Sequence, residues 1–314
     1  MMSSWRGKKI LVTGGAGFLG SYVVENLVKR RGVDPANIVV PRSKEHDLRR
    51  MEECLAVTQG CQLVIHLAAV TGGIEFSSKF PASQYFDSTW IDLNMVEAAR
   101  RCGAEKFVAI GNLFAYSQDA ATPLEEEFLF SGLPGGAHRG VGWLKRNLAV
   151  VADLYYREHR FPVVVVYSAN GYGPRDSLDR RRGHVIPATI MKCLEEKDLL
   201  VWGDGSPTRD FLFASDIAEG LVLAAERLEA PEFVNIGSGR EVSIQELVEL
   251  IVRRTGFTGR VTFDASRSGG SSRRCASIAK AHRLLGFEAA VPLEEGLEHT
   301  VAWFKSHVGR QELS

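Results

Sequence analysis

The amino-acid sequence predicts an α/β protein in which a doubly wound parallel sheet is followed by a smaller, mixed α/β lobe. Short β-branched runs alternate with amphipathic helical segments up to about residue 170, which is typical of parallel strands joined by crossover helices. The strand candidates are apolar along almost their whole length, as expected when helices cover both faces of a sheet. Beyond that point the elements become shorter and are separated by glycine and proline, so a less regular unit is expected there.

Each element follows from a local pattern. Strand-like β-branched runs occur at Lys9–Thr13, Ile38–Val40, Leu63–Leu67, Lys106–Ile110 and Pro162–Tyr167. Apolar residues recur at helical spacing in Leu19–Arg31, Asp47–Thr58, Gln84–Arg101 and Gly142–His159. Later in the chain, Ser243 and Glu246 have the spacing of a capping box, which predicts a helix from there through Arg254.

The chain has 314 residues, which suits two domains of roughly 150 residues each or one large α/β unit. We expect residues 1–170 to form the sheet domain, with a further contribution from about 211–236. Residues 171–314 would form a substrate-binding lobe interleaved with it. Ligands of such sheets bind beyond the carboxyl ends of the strands, so motifs at those ends carry the most information.

Composition excludes several classes of protein. Lys plus Arg and Asp plus Glu both number 38, and this balance argues against a nucleic-acid-coating protein, which needs an excess of basic residues. The five cysteines include no C-x-x-C pair, so neither a disulfide framework nor a metal site is expected. No apolar run reaches the roughly 18 residues of a membrane span, and no apolar leader precedes the first strand. These features predict a soluble, cytoplasmic protein.

The segment Thr13–Gly20 reads TGGAGFLG and joins the first strand to the first long helix. Gly14 would permit a tight turn, Gly17 would let a pyrophosphate approach the backbone, and Gly20 would let the helix pack closely. The phosphates would lie on free N–H groups at the positive end of the helix dipole. This loop predicts a Rossmann-like dinucleotide site. The residues expected to contact the cofactor here are Gly14, Gly17, Phe18, Leu19 and Gly20.

The end of the second strand bears on the choice of cofactor. NAD sites usually have an Asp or Glu there, which binds the ribose hydroxyls. Here Val40 is followed by a proline and then by Arg42 and Lys44, with no acid before Glu45. A guanidinium binds phosphate through two parallel hydrogen bonds, so Arg42 favours the 2′-phosphate of NADP, with NAD as the alternative.

With these motifs in view, the chain resembles the extended short-chain dehydrogenase/reductases, the group of nucleotide-sugar epimerases and dehydratases. The motifs that carry this resemblance are Thr13–Gly20, His66–Ala69, Asn170–Pro174 and Arg209–Phe211, followed by Asp216. Within the group it is most similar to the GDP-L-fucose synthases, through Ala69–Ile74, His184–Ala188, Val201–Gly205 and Phe263–Ser266. The resemblance implies an NADP-linked enzyme that epimerises C3 and C5 of a GDP-4-keto-6-deoxyhexose and then reduces C4.

The resemblance also implies roles for individual residues. Lys145 matches the lysine of the family's Tyr-x-x-x-Lys motif, but Val141 stands where the tyrosine should be. The family serine falls on Asn112, and the cysteine that assists epimerisation falls on Phe114. His184 is retained and would be the epimerisation acid. The catalytic set is therefore His184, Lys145 and Asn112, and the candidates to replace the tyrosine are Tyr116, His138 and Tyr172.

Further binding residues follow from the same resemblance. On the cofactor side they are Arg42, Asp47, Leu48, Leu67, Ala68, Ala69 and Lys145. On the substrate side they are Asn170, His184, Trp202, Arg209, Arg273 and Arg274. Arginines that converge from separate loops favour a nucleoside-diphosphate sugar as ligand. The basic run Arg180–Arg182 is interpreted as a solvated loop.

Two interpretations stay open at this stage. In one, the chain is a nucleotide-sugar epimerase or reductase with an atypical active site. In the other, the loss of three proton-handling side chains marks a catalytically impaired protein that binds dinucleotide or nucleotide sugar as a regulator or partner subunit. A dehydratase is disfavoured, because Asn112–Phe114 supplies no acid. By resemblance we expect a homodimer built on the helices near Gln84–Arg101 and Gly142–His159, with apolar surface from Trp143, Leu144 and Tyr155.

Overall fold

The computed structural model describes residues 5, 7–179, 183–229, 231–267 and 272–308. In chain order the strands are β1 (Ile10–Thr13), β2 (Ile38–Val39), β3 (Leu63–His66), β4 (Lys106–Asn112), β5 (Val163–Ser168), β6 (Asn170–Tyr172), β7 (Leu199–Trp202), β8 (Thr208–Arg209), β9 (Phe211–Phe213), β10 (Glu232–Ile236), β11 (Val242–Ser243), β12 (Val261–Asp264) and β13 (Arg273–Arg274).

The helices are α1 (Phe18–Lys29), α2 (Met51–Thr58), α3 (Ile74–Lys79), α4 (Pro81–Arg101), α5 (Arg139–His159), α6 (Val185–Glu195), α7 (Ala214–Arg227), α8 (Ile244–Thr255), α9 (Ala279–Leu285) and α10 (Leu293–His307). Short 3₁₀ turns at Leu113–Ala115 and Gly136–His138 lie next to the site described below. In the described ranges, none of these helices is both long enough and apolar enough to cross a membrane.

A parallel sheet of order β10-β5-β4-β3-β1-β2 forms the centre of the molecule. Helices α1 and α7 pack together on one face, and α2, α4 and α5 pack on the other. The four valines from Val163 to Val166 are completely buried between these layers, as expected for a strand covered on both faces. The doubly wound α/β class predicted from the sequence is therefore confirmed.

The smaller lobe has its own core. Helices α6, α8 and α10 pack around short strand pairs, and their contacts bury Ile190, Leu247, Ile251 and Phe304. The predicted helix start is confirmed, because the Ser243 hydroxyl accepts the Glu246 N–H at 3.0 Å at the start of α8, while the Glu246 carboxylate pairs with Arg240. Its hydrogen bond satisfies one of the N–H groups that a helix start leaves without a partner.

Some element boundaries differ from expectation. Helix α2 begins at Met51 and not at Asp47, because the Asp47 carboxylate accepts the Arg49 N–H in a local turn. Helix α3 has no counterpart in the prediction, and neither has strand β10, which pairs in parallel with β5. The basic run Arg180–Arg182 lies outside the described residues.

Candidate functional site

The glycine-rich loop closes tightly onto the start of α1. Gly14 has φ +68°, a left-handed conformation that favours glycine, and the Gly17 N–H donates to its carbonyl at 2.9 Å. A Cβ on Gly20 would lie 2.1 Å from the same carbonyl oxygen. No side chain caps the helix at Gly17, so the first N–H groups of α1 stay available to an anion. The loop therefore fits the diphosphate of a dinucleotide.

The region after β2 presents basic side chains. Arg42 and Lys44 are exposed, and neither is paired with a carboxylate of any described residue. Asp47 is engaged differently, because Arg49 donates to its carboxylate through Nε and Nη2, both at 2.8 Å. This contact with Arg49 lowers the pKa of Asp47. The next residue, Leu48, is buried in the core.

A buried hydrogen-bonded chain begins at the carboxyl end of β1. The Thr13 hydroxyl oxygen accepts the N–H groups of Leu67 and Ala68 at 3.2 and 3.3 Å. It also bonds His66 Nδ1 at 2.7 Å. Since its oxygen is accepting, the hydroxyl hydrogen is free to be donated to Nδ1, which assigns the proton of a neutral His66 to Nε2. The start of the predicted segment Leu67–Ala69 is thereby fixed to the phosphate loop.

The chain continues to Lys145. His66 Nε2 lies 3.0 Å from Asp92 Oδ1, and the Lys145 ammonium lies 3.6 Å from Asp92 Oδ2. The side chains of Asp92 and Lys145 are both less than a tenth exposed. Four elements of the sheet domain, β1, β3, α4 and α5, are joined in this way. Asp92 was not predicted, although it shares the helical face of Ser88, Met95 and Val96, all of which are buried.

Asn112 ends β4 and shapes the turn that follows. Its side-chain oxygen accepts the Phe114 N–H at 3.1 Å, which leaves the amide N–H₂ as the end of the side chain able to act toward a ligand. An amide of this kind donates a hydrogen bond and does not carry a proton to or from substrate near neutral pH.

His184 and Asp176 lie next to each other at the start of α6. His184 Nδ1 lies 3.6 Å from Asp176 Oδ2, and the buried Asp176 also accepts the Ser177 N–H at 2.7 Å. Asp176 raises the pKa of His184, and this effect outweighs the opposing effect of desolvation. The His184 side chain is 56% exposed. Because Nδ1 faces the carboxylate, Nε2 is the nitrogen left for a ligand.

Two arginines lie side by side on the paired strands β8 and β13, where Arg274 is in register with Arg209. The buried Arg274 donates to the Leu113 carbonyl and lies over the Phe114 ring at 5.4 Å. Arg209 donates to the carbonyl of Thr208 at 2.7 Å. Neither guanidinium pairs with a carboxylate in the described ranges, and burial together with Arg209 lowers the pKa of Arg274 to about 10. Such an arrangement suits a bound anion.

The chain matches a family model described as the NAD dependent epimerase/dehydratase family over residues 10–237. The chain belongs to this family. A probable GDP-L-fucose synthase of Oryza sativa subsp. japonica is 32% identical over 311 residues, which cover 96% of this chain and 94% of that protein.

Two further relatives agree with this family. A GDP-L-fucose synthase of Sinorhizobium fredii is also 32% identical, over 96% of this chain and 97% of its own. The crystal structure of a GDP-L-fucose synthetase from Naegleria fowleri bound to NADP has a TM-score of 0.86 at 26% identity, and the match covers 99% of this chain and 97% of that one. The resemblance inferred from the sequence motifs is confirmed.

The structure does not bring every predicted substrate residue into one group. Arg273 points away from Arg274, as successive strand residues do, and forms an ion pair with Glu241. Asn170 begins β6, where its amide donates to the Asp210 carbonyl at 3.1 Å. Trp202 ends β7 and is 48% exposed.

The three candidates for the missing tyrosine have different surroundings. Tyr116 is fully buried and bonds Asn235 at 2.8 Å. Tyr172 is buried as well, with its hydroxyl 3.4 Å from the Leu293 carbonyl. His138, in contrast, packs on Phe114 close to Arg209, Arg274 and His184.

The cysteines and the possible metal ligands are spread over the fold. The five cysteines are all free, and four of them are buried. Within the described part of the chain, no three His, Cys, Asp or Glu residues are grouped so that they could hold a metal ion.

Proposed function

We propose that this chain is an NADP-dependent nucleotide-sugar epimerase/reductase that acts on a GDP-4-keto-6-deoxyhexose-like substrate. The observation that carries the proposal is the pair of guanidiniums of the buried Arg274 and the half-buried Arg209, which lie side by side without carboxylate partners among the described residues. Both of them, like His184, act electrostatically on the His138 ring. Two cations that no carboxylate of the described residues neutralises suit a diphosphate, and an imidazole whose pKa is raised by a carboxylate suits proton transfer to a sugar.

The cofactor assignment rests on the fit of the loop and on the relatives. The free N–H groups at the start of α1 would hold the diphosphate, and the exposed Arg42 and Lys44 would receive the 2′-phosphate. The Naegleria fowleri relative is bound to NADP. When bound, the reduced cofactor supplies a hydride. Lys145, fixed by Asp92, would bind the ribose hydroxyls next to the nicotinamide.

The substrate would lie with its diphosphate between Arg209 and Arg274. A 4-keto group makes the hydrogens on C3 and C5 acidic, because the resulting negative charge is delocalised onto the C4 oxygen as an enolate. The Asn112 amide N–H would donate to that oxygen. His184, whose pKa is raised by Asp176, would return a proton to carbon through Nε2.

Reduction of C4 needs a proton on the oxygen as the hydride arrives. Val141 supplies no acid at the position where the family has its tyrosine, so that proton would come from water. We therefore expect epimerisation to be faster than reduction, because a positioned acid contributes roughly 10²- to 10⁴-fold to such a step.

The test is to incubate the protein with GDP-4-keto-6-deoxymannose in D₂O, with and without NADPH. We expect deuterium at C3 and C5 in both samples and slow oxidation of NADPH in the second. The double variant Val141→Tyr/Asn112→Ser should speed NADPH oxidation without raising deuterium incorporation. If the unmutated protein shows no deuterium exchange and no NADPH oxidation, the proposal is refuted.

A second candidate is a catalytically impaired protein that binds nucleotide sugar as a regulator or partner subunit. The residues at 112, 114 and 141 favour it, since none of the three can exchange a proton. This candidate predicts tight binding of GDP and NADPH without deuterium exchange. Exchange at C3 or C5 by the unmutated chain would exclude it.

We also propose that the chain forms a homodimer through α4 and α5. The exposed aromatic and aliphatic side chains on these helices are Tyr85, Phe86, Trp90, Trp143, Val150 and Leu154, and patches of this kind mark interaction surfaces. Leu144 is buried and cannot contribute, and the Tyr155 hydroxyl bonds Glu97 at 3.2 Å. Light scattering of Phe86→Glu, which should be monomeric, tests this assembly.

A further inference from the structure

His138 lies outside the sequence motifs that carry the family resemblance, and its side chain packs on Phe114. It ends the 3₁₀ turn Gly136–His138, immediately before α5, and its ring lies 4.2 Å from the ring of Phe114, tilted by 32°. Within the described part of the chain, neither ring nitrogen has a hydrogen-bond partner. Because buried ring nitrogens are normally hydrogen-bonded, nitrogens without a partner among the described residues are available to a ligand.

The surroundings of His138 are cationic. His184 precedes α6, Arg209 lies on β8 and Arg274 on β13, and each of them affects the titration of His138. Helix α3 also packs on the turn, but its charged residues, Glu75 and Lys79, are exposed. Burial first, and then these three positive charges, lower the pKa of His138 to about 4. At neutral pH the ring is therefore an uncharged acceptor.

The pKa values of His138 and His184 are therefore shifted in opposite directions. Asp176 raises the pKa of His184, whereas no described carboxylate acts on His138. Two titratable groups whose environments shift their pKa values in opposite directions are typical of a base and an acid that act on one substrate. Arg274 and His138 both contact the Phe114 ring, and Arg209, Arg274 and His184 all act on His138. A sugar attached to a diphosphate held by the two arginines would therefore reach His138.

We propose that the His138 imidazole is the base that removes the carbon-bound proton from the keto sugar, and that His184 supplies the proton that completes the inversion. This proposal rests on the proposed epimerase function and names a group that would replace the family cysteine, whose position is occupied by Phe114 in this chain. Phe114 would serve as the surface on which the imidazole is held.

The step is balanced without any redox partner. The C–H bond next to the C4 carbonyl breaks, its proton forms an N–H bond on His138, and its electron pair becomes the C–C double bond as the carbonyl pair moves onto oxygen. The enolate then takes the Nε2 proton of His184 at carbon, and the carbonyl forms again. Exchange with solvent returns His138 to its neutral form and His184 to its charged form.

The experiment measures deuterium uptake from D₂O into GDP-4-keto-6-deoxymannose without NADPH, so that proton transfer is separated from reduction. The variants are His138→Gln and His184→Gln, and the control is His282→Gln, which changes an exposed histidine on α9. We expect His138→Gln to lower the exchange rate by about 100-fold or more, with GDP affinity by calorimetry within twofold of the unmutated protein. His282→Gln should exchange at the unmutated rate.

The outcomes distinguish a failure of the His138 role from a failure of the epimerase function. If the unmutated protein exchanges and His138→Gln exchanges equally fast, the role of His138 is refuted while the epimerase function stands. If the unmutated protein does not exchange at all, the proposed function fails and the role of His138 fails with it.

The pH profile of the unmutated protein gives a test that needs no variant to fold. Exchange should fall only as the pH approaches about 4, where His138 becomes protonated, and at high pH, where His184 loses its proton. An acidic limb near the ordinary histidine pKa of about 6.5 would contradict the assignment. In a folded His138→Gln variant the residual exchange should lose the acidic limb and keep the basic one.

Discussion

The buried pair of Asp92 and Lys145 gives a quantitative test of how the Lys145 ammonium is positioned. Two unit charges 3.6 Å apart attract each other by about 4–5 kcal/mol at an effective dielectric constant of about 20. Asp92→Asn keeps the volume and a hydrogen bond to His66, but leaves the buried ammonium without its counter-charge. Removing one partner of a buried pair costs about 3–5 kcal/mol. We expect Asp92→Asn to lower the free energy of unfolding by an amount in that range.

The assay is urea unfolding followed by both circular dichroism and fluorescence, whose midpoints must coincide for a free energy to be defined. A double-mutant cycle with Lys145→Met isolates the pair. The double variant should recover most of the loss, because it leaves no uncompensated charge. A loss below about 1 kcal/mol in Asp92→Asn, or additive effects in the cycle, would show that the two charges do not support each other.

Three further predictions concern single elements. Gly20→Ala should weaken NADPH binding at least tenfold by fluorescence titration, because its Cβ would lie 2.1 Å from the Gly14 carbonyl oxygen; Gly256→Ala, at the end of α8, should leave that affinity unchanged. Arg274→Met should weaken GDP binding about 10- to 100-fold by calorimetry, as expected for lost charge-assisted hydrogen bonds, whereas Arg273→Met should stay within threefold. Ser243→Ala should lower the free energy of unfolding by about 1 kcal/mol in urea titrations, and no change would show that α8 does not depend on its cap.

Most of the sheet could be predicted from the sequence because its strands are buried on both faces. The valine-rich strand β5 and the helix that Ser243 caps both follow from local residue chemistry. Strand β10 was not predicted, because its first two residues, Glu232 and Phe233, are only half-buried at the edge of the sheet. The strand therefore lacks the continuous apolar run of the central strands. Its place depends on pairing with β5, which no local pattern encodes.

The candidate site was predictable where a motif fixes the backbone, and less so where tertiary packing decides. The loop from Thr13 to Gly20 needs only its own residues and the adjacent strand and helix. Arg273 and Arg274 look equivalent in the sequence, but strand alternation sends one toward Glu241 and the other toward Phe114. The contact between His138 and Phe114 likewise depends on how the end of β4 meets the start of α5.

The position of β10 has a consequence for dissecting this chain. Because Glu232–Ile236 pairs with β5 only after the chain has passed through much of the smaller lobe, no single cut separates the two cores. A fragment that ended after β5 would expose Val163–Ser168 as an unpaired edge, and exposed apolar edges promote aggregation. Helices α8 and α10 complete the core of the smaller lobe and follow β10 in the chain. Truncated versions for expression should therefore retain residues through His307, and exchange of the smaller lobe between relatives should replace segments on both sides of α7 and β10.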